Sequence, residues 1–209
     1  SAILGRKEMG RFFLNGKPYP LHGVSRHQDR ENKGWAITEK EHKEDMELIC
    51  EVGANTIRLA HYQHSPAFYD LCDEKGMVVW AEIPFISVFS NTSAAEKNTL
   101  SQMKELVLQN YNRPSIVCWG IANEITIGGV GHELYENLAK LNDLCHELDK
   151  TRLTTMANLT MVEPDSDMNK ITDILSYNHY FGWYMGSVED NGPWLDDFHK
   201  KNPDICLGL

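Results

Sequence analysis

Cysteine is sparse and unpatterned in this chain: five residues in 209, at positions 50, 72, 118, 145 and 206, with no C-x-x-C pair. An odd, scattered set argues against a disulfide framework or a structural zinc site. Four of the five stand in apolar strand-like or helix-like stretches, where a thiol packs as a small core residue. That usage leans toward a reducing compartment. Basic charge is also short, with 20 Lys and Arg against 30 Asp and Glu and a formal net charge of −10. A chain of that sign is repelled by phosphate backbones and anionic lipid, so neither nucleic acid nor membrane is an expected partner. No apolar run approaches the ~18 residues of a bilayer-spanning helix, and no secretory leader opens the sequence. The chain reads as starting partway through a longer protein, which leaves cytoplasm and periplasm both open. Internal repeats, low-complexity tracts and linkers are missing as well, so residues 1–209 read as one domain or part of one.

What is present is an alternation of strand-like and helix-like segments. The spacing predicts strands over 19–25, 56–61, 77–83, 116–122, 153–157, 174–180 and 205–209. A capping box at Thr38-Glu39-Lys40-Glu41 opens a helix that ends near Gly53, and Ser65-Pro66 opens another closed by Gly76. Ser93-Ala94-Ala95-Glu96 reads as a further capping box, its helix stopping before Pro114. Leu134, Leu138, Leu141, Cys145 and Leu148 keep helical spacing, and a last helix is predicted over 194–201. Roughly seven strands and six helices in alternation predict an incomplete (β/α)8 TIM barrel, which when complete has eight units and about 250 residues. A doubly wound open sheet is the rival, but no G-x-G-x-x-G follows the first strand. The loop Gly128-Gly129-Val130-Gly131 lacks the Lys-Ser/Thr of a phosphate-binding loop.

The segment Ile116-Val117-Cys118-Trp119-Gly120-Ile121-Ala122-Asn123-Glu124 is the most informative. An apolar run ending in an amide and a carboxylate reads as a buried parallel strand whose C-terminal end carries polar chemistry. Similar groups follow other predicted strands: Arg26-His27, His61-Tyr62, Glu82 and Asn178-His179-Tyr180. In a barrel these ends share one rim, so residues distant in sequence converge on one pocket. Each has a bland reading too. A Glu after a strand can simply open a loop, and a lone His is often hydrogen-bonded scaffold. Trp119 reads as core and His22 as structural; His42, His132, His146 and His199 lie on predicted helices and read as solvent-facing. Trp183 and Tyr184, next to Gly182, offer an aromatic platform for a sugar. A nitrogen and oxygen cluster of His27, His61, Glu82 and Glu124 is the one metal arrangement to weigh, but no H-E-x-x-H pattern supports it, and neither metal nor cofactor is expected.

At these residues the chain resembles glycoside hydrolase family 2, whose members include β-galactosidases, β-glucuronidases and β-mannosidases. The resemblance rests on Phe12-Phe13-Leu14-Asn15-Gly16-Lys17-Pro18 with Leu21-His22-Gly23-Val24-Ser25-Arg26-His27. It continues through Asn55-Thr56-Ile57-Arg58-Leu59-Ala60-His61-Tyr62 and Phe68-Tyr69-Asp70-Leu71-Cys72-Asp73-Glu74-Lys75-Gly76. Asn112-Arg113-Pro114-Ser115-Ile116, leading to Asn123-Glu124, completes it. The resemblance implies a partial TIM-barrel catalytic domain and retaining hydrolysis of β-glycosides. It implies Glu124 as general acid/base, Asn123 on the sugar 2-hydroxyl, and His27 and His61 as sugar-binding residues. Arg58 matches an arginine near the nucleophile, Tyr180 a tyrosine touching the nucleophilic carboxylate, and Trp183 joins the substrate-binding set. The family's nucleophilic Glu is expected just past Leu209, and its N-terminal sandwich and C-terminal domains outside this chain. The chain alone is therefore expected to be inactive. The loop Ile83-Pro84-Phe85-Ile86-Ser87 lacks the Glu and His with which some β-galactosidases hold magnesium. Arg26-His27-Gln28-Asp29 and the stretch near Trp80 favour a β-galactosidase, with a β-glucuronidase or a non-catalytic carbohydrate-binding piece as alternatives.

Overall fold

A computed structural model describes residues 2–4 and 12–209 of the chain. Seven strands form one parallel sheet whose spatial order follows the chain: β4 (Gly23–Arg26), β5 (Thr56–Leu59), β6 (Val78–Glu82), β7 (Ile116–Asn123), β8 (Leu153–Leu159), β9 (Ile174–Asn178) and β10 (Leu207–Gly208). Before them, β1 (Ala2–Leu4), β2 (Phe12–Leu14) and β3 (Lys17–Pro18) make a small antiparallel sheet. Its β2–β3 turn is Asn15-Gly16, with φ of +51° and +77° at the two positions. Asn-Gly is the residue pair that accepts two left-handed positions in succession. That dipeptide was a hairpin signal that the expectation of a first strand over 19–25 passed over. Pro20 cannot donate to a ladder, and pairing with β5 begins only at Gly23.

Five α-helices occur among the described residues: α1 (Glu39–Glu51), α2 (Pro66–Lys75), α3 (Ser93–Asn110), α4 (His132–Leu148) and α5 (Asn191–Lys201). Local caps set most of their ends. Thr38 and Glu41 form the reciprocal capping box, Ser65 Oγ accepts from the Ala67 amide, and Gly76 closes α2 in the left-handed region at φ +68°. The box expected at Ser93 is displaced by one residue: Thr92 is the cap, its hydroxyl accepting from the Ala95 amide at 3.1 Å. The expected six helices are five, because a single 3-10 turn, Asp167–Lys170, joins β8 to β9. That connection has three Asp and, apart from Pro164, no apolar residue between Val162 and Met168, too wide a gap for the stripe a helix would bury.

Strand parity divides the residues between two faces. Ile57, Leu59, Val79, Ala81, Trp119, Ile121 and Met156 are buried with helical Met46, Phe68, Met103, Leu106, Leu138 and Leu141 in the main core. Trp119 sits there as expected. Its indole N–H donates to Asp149 at 3.1 Å, and Arg152 bonds the same carboxylate at 2.7 Å. Burial alone would raise the Asp149 pKa, but hydrogen bonds from Thr151, Arg152 and Trp119 outweigh it and hold it at about 2. Leu175 and Tyr177 of β9 instead pack with Phe198 and Trp194 of α5 in a smaller second cluster. Cys72, Cys118 and Cys145 are buried thiols, whereas Cys50 and Cys206 are exposed.

The sheet is strongly curved. Arg58 on β5 bonds Asn178 on β9 at 2.7 Å, although four strand spacings in a flat sheet amount to about 19 Å. The incomplete barrel expected from the alternation is the architecture seen. No helix among the described residues is long and apolar enough to cross a membrane.

Candidate active site

The inner face of the curve carries Arg58, Glu82, Gly120 and Asn178, at register positions that alternate with the core residues. Arg58, 12% exposed, is the hub. Its Nε donates to Glu82 Oε2 at 3.0 Å and its Nη1 to Asn178 Oδ1 at 2.7 Å. Its Nη2 reaches Asn123 Oδ1 at 2.7 Å and Glu82 Oε1 at 3.1 Å. The guanidinium also lies over the Trp80 ring, 4.3 Å from the centroid. Gly120 makes room for this layer, since a Cβ there would stand 2.4 Å from Trp80 Nε1 and 2.5 Å from Glu82 Cβ.

Asn123 and Glu124 project from the end of β7. The backbone of the 83–87 loop extends the pairing there: Asn123 donates to the Phe85 carbonyl at 2.9 Å and accepts from the Ser87 amide at 3.0 Å. Glu124 bonds the Ala157 carbonyl through its own amide and then turns left-handed, with φ of +48°. A residue with a Cβ pays about 1–2 kcal/mol for that conformation. The buried side chain of Ile125 and the 3-10 turn that follows over Ile125–Gly128 hold it in place. The result aims the Glu124 carboxylate back over the inner face, where Asn178 Nδ2 donates to its Oε1 at 2.6 Å.

The two imidazoles arrive from β4 and β5. His27 and His61 meet edge to face with ring centroids 5.2 Å apart, and His61 Nδ1 is hydrogen-bonded to Glu82 Oε1. Partial burial, then the neighbouring His61, lowers the His27 pKa, so near neutrality its ring is a neutral hydrogen-bonding group. Tyr180, beyond β9, has its pKa raised by burial and then by the Glu124 carboxylate, so it keeps its phenolic proton. Glu124, Asn123, Arg58, His61 and His27 are thus linked through Asn178 and Glu82 at the ends of several strands, with Tyr180 beyond β9 close enough to feel the Glu124 charge. Trp183 lies at the margin, 78% exposed and 6.2 Å from Tyr184, which in turn meets Tyr180 at 5.1 Å.

Several rim residues fall elsewhere. Arg26 points outward from β4, stacked on Phe68 at 3.7 Å and bonded to Asp45, His42 and His64. His42 is therefore buried rather than solvent-facing, because α1 turns it toward that guanidinium. His179 also faces outward, 4.2 Å from Trp194. His22 precedes the first parallel strand and is exposed, its backbone amide donating to Asn55. Among the described residues no group of three or more His, Cys, Asp or Glu is placed to hold a metal. Two contributors, Glu82 and Asn178, carry no assigned role in the sequence reading beyond their place on the rim. Both end predicted strands, and that position was the available signal.

Residues 6–205 match the family model of the glycosyl hydrolases family 2 TIM barrel domain. The chain belongs to this family. A crystal structure of an FMN-binding β-glucuronidase from Facaelibacterium prausnitzii L2-6 aligns with 100% of the chain, with a TM-score of 0.95 and 56% identity. A β-glucuronidase of Bacteroides fragilis is 42% identical over 205 residues, covering 95% of this chain. A β-galactosidase of Thermoanaerobacter pseudethanolicus is 29% identical over 187 residues, covering 88% of this chain. The family 2 barrel segment here spans 32%, 29% and 23% of the lengths of those three proteins, respectively.

Proposed function

We propose that the protein carrying this chain is a retaining glycoside hydrolase that cleaves β-glucuronides, with Glu124 as its acid/base. The observation that carries the reading is the Glu124 carboxylate itself. It is turned inward by a left-handed backbone, gripped by Asn178 and close enough to Tyr180 to act on its phenol, beside a layer in which Arg58 ties Asn123 to Glu82 and His61. In retaining hydrolysis two carboxyl groups about 5–5.5 Å apart flank the bond. Glu124 hands its proton to the departing oxygen, and later takes one from the water that releases the sugar. The nucleophile in this reading is a Glu following β10. Asn123 donates to the 2-hydroxyl through a bond that strengthens as the ring becomes oxocarbenium-like. His27 and His61 hold other hydroxyls, Tyr180 orients the nucleophile, and Trp183 offers an outer platform.

The choice of sugar rests on the relatives. β-Glucuronidases at 56% and 42% identity stand against a β-galactosidase at 29%. The preference for galactosides drawn from residues 26–29 and Trp80 gives way to the glucuronide alternative, because the β-glucuronidases are the more similar of these relatives.

The test is hydrolysis of nitrophenyl β-glucuronide and nitrophenyl β-galactoside by the full-length protein. Faster turnover of the glucuronide, strongly reduced in Glu124→Ala, is the expected result. A galactoside preference would replace the sugar assignment, and sugar binding without turnover would leave only a carbohydrate-binding module.

A further inference from the structure

The inner cluster contains one charged group with no assigned role in sugar binding. Glu82 is fully buried at the end of β6, yet both of its oxygens are engaged by groups that surround the pocket. Arg58 grips it through two nitrogens, and His61 meets the same Oε1 through Nδ1. A guanidinium has only donors, a carboxylate only acceptors, and an imidazole one of each when neutral. Those facts determine the hydrogens around the cluster.

An unprotonated Nδ1 would press its lone pair against the Glu82 carboxylate, so His61 must carry its proton on Nδ1. The nearby Arg58 Nη2, 3.2 Å from Nδ1, is not needed there as a donor. Its hydrogens already have Asn123 Oδ1 and Glu82 Oε1 as acceptors. With the single proton of a neutral ring on Nδ1, the other ring nitrogen of His61, Nε2, is an acceptor. The same guanidinium orients the two amides. Asn123 must turn its oxygen to Arg58, where Asn178 also donates to it at 3.0 Å, and this leaves the Asn123 NH2 group to donate elsewhere. Asn178 turns its oxygen to Arg58 as well, which places its NH2 group on Glu124.

We infer that Glu82 is a positioning residue: acting through Arg58 and His61, it decides that His61 offers an acceptor and Asn123 a donor to a bound sugar hydroxyl. The inference rests on the reading of the site as a glycosidase for its kinetic consequence, but not for the proton position. In Glu82→Gln the carboxamide keeps the shape while one oxygen becomes a donor. That donor faces either Arg58 or His61 Nδ1, and the second arrangement transfers the imidazole proton to Nε2.

The experiment uses the full-length protein labelled with 15N-histidine, the His61 signal being assigned by its loss in His61→Gln. Long-range proton–nitrogen correlation reads which ring nitrogen is protonated. The expected result is Nδ1–H in the native protein and a change of tautomer in Glu82→Gln. With it should come a ten- to hundredfold fall in kcat/KM, partly restored in Glu82→Asp, which keeps the charge. Native His61 protonated on Nε2 overturns the inference, and so does a Glu82→Gln enzyme with undiminished kcat/KM. If Glu82→Gln does not fold, the native tautomer alone decides. If the full-length protein hydrolyses no β-glycoside, the functional reading falls while the tautomer measurement still judges the role of Glu82.

Discussion

Two clusters of the same residue types lie on opposite faces of adjacent strands. Outside the curve, Arg26 of β4 meets Asp45, His42 and His64; inside it, Arg58 of β5 meets Glu82 and His61. Ser25 is the register partner of Arg58 and Arg26 of Leu59, so the two arginines point to opposite sides of the sheet. The outer one is sealed. His64 is 2% exposed, and burial, reinforced by Arg26, drives its pKa down to about 3. Arg26 donates to Nδ1 of both His42 and His64, so each keeps its proton on Nε2. Inside, a carboxylate faces the Nδ1 of His61 and demands the opposite tautomer. Composition does not distinguish scaffold from site here. What distinguishes them is whether the polar set closes on itself or leaves donors and acceptors facing the pocket.

The largest effect should come from the pocket's own carboxylate. Glu124→Ala in the full-length protein is expected to lower kcat/KM by ~10²- to 10⁴-fold on a substrate with a poor leaving group. The loss should shrink on dinitrophenyl glycosides, whose leaving group needs no proton, and an equal loss on both would contradict the acid role.

Matching substitutions of the two arginines test the comparison directly. Arg26→Met removes the buried partner of Asp45 while Arg30 stays on that carboxylate at 2.9 Å, and should cost about 1.5–3 kcal/mol of stability in denaturant unfolding. Arg58→Met, which leaves the fully buried Glu82 with His61 alone, should also lower the melting temperature, but it should in addition depress kcat/KM by more than a hundredfold, an effect expected to be absent in Arg26→Met. The reverse pattern would exchange the roles of the two clusters.

The outer cluster should also set a pH limit. His64 has a folded pKa near 3 against the usual 6.5, so between those values the unfolded chain takes up a proton that the native protein refuses. Its contribution is fully present above pH 6.5 and is lost as pH falls toward 3. A shallower loss of stability over that interval is expected in His64→Gln; an unchanged slope would show that other groups control it. The smallest effect is assigned to the margin. Trp183→Ala, removing a side chain that is mostly in solvent, should raise KM by less than tenfold with kcat nearly unchanged.

Much of this was legible locally. The Thr38–Glu41 box, Ser65-Pro66 and Gly76 set helix ends through contacts within a few residues, and the structure has each of them where the sequence places it. The run ending in Asn123-Glu124 likewise read correctly as a buried strand, since only a parallel strand covered on both sides is so uniformly apolar. The outward turn of Arg26 and the burial of His42 were not legible. Which way a residue at a strand end points depends on the register with a neighbour that the local sequence does not contain. The connection from β8 to β9 was missed for a different reason. Alternation was extended to a place where no apolar stripe supported another helix.

By itself the sequence determined the succession of strands and helices and the polar residue types closing each strand, because caps, turns and apolar periods act over a few residues. Tertiary structure alone decided that Arg58 reaches Asn178 four strands away, that Glu124 turns inward, and that one Arg–His–carboxylate set faces the pocket while its twin supports the wall. Those outcomes depend on sheet curvature and strand parity, which arise only when all the strands are paired.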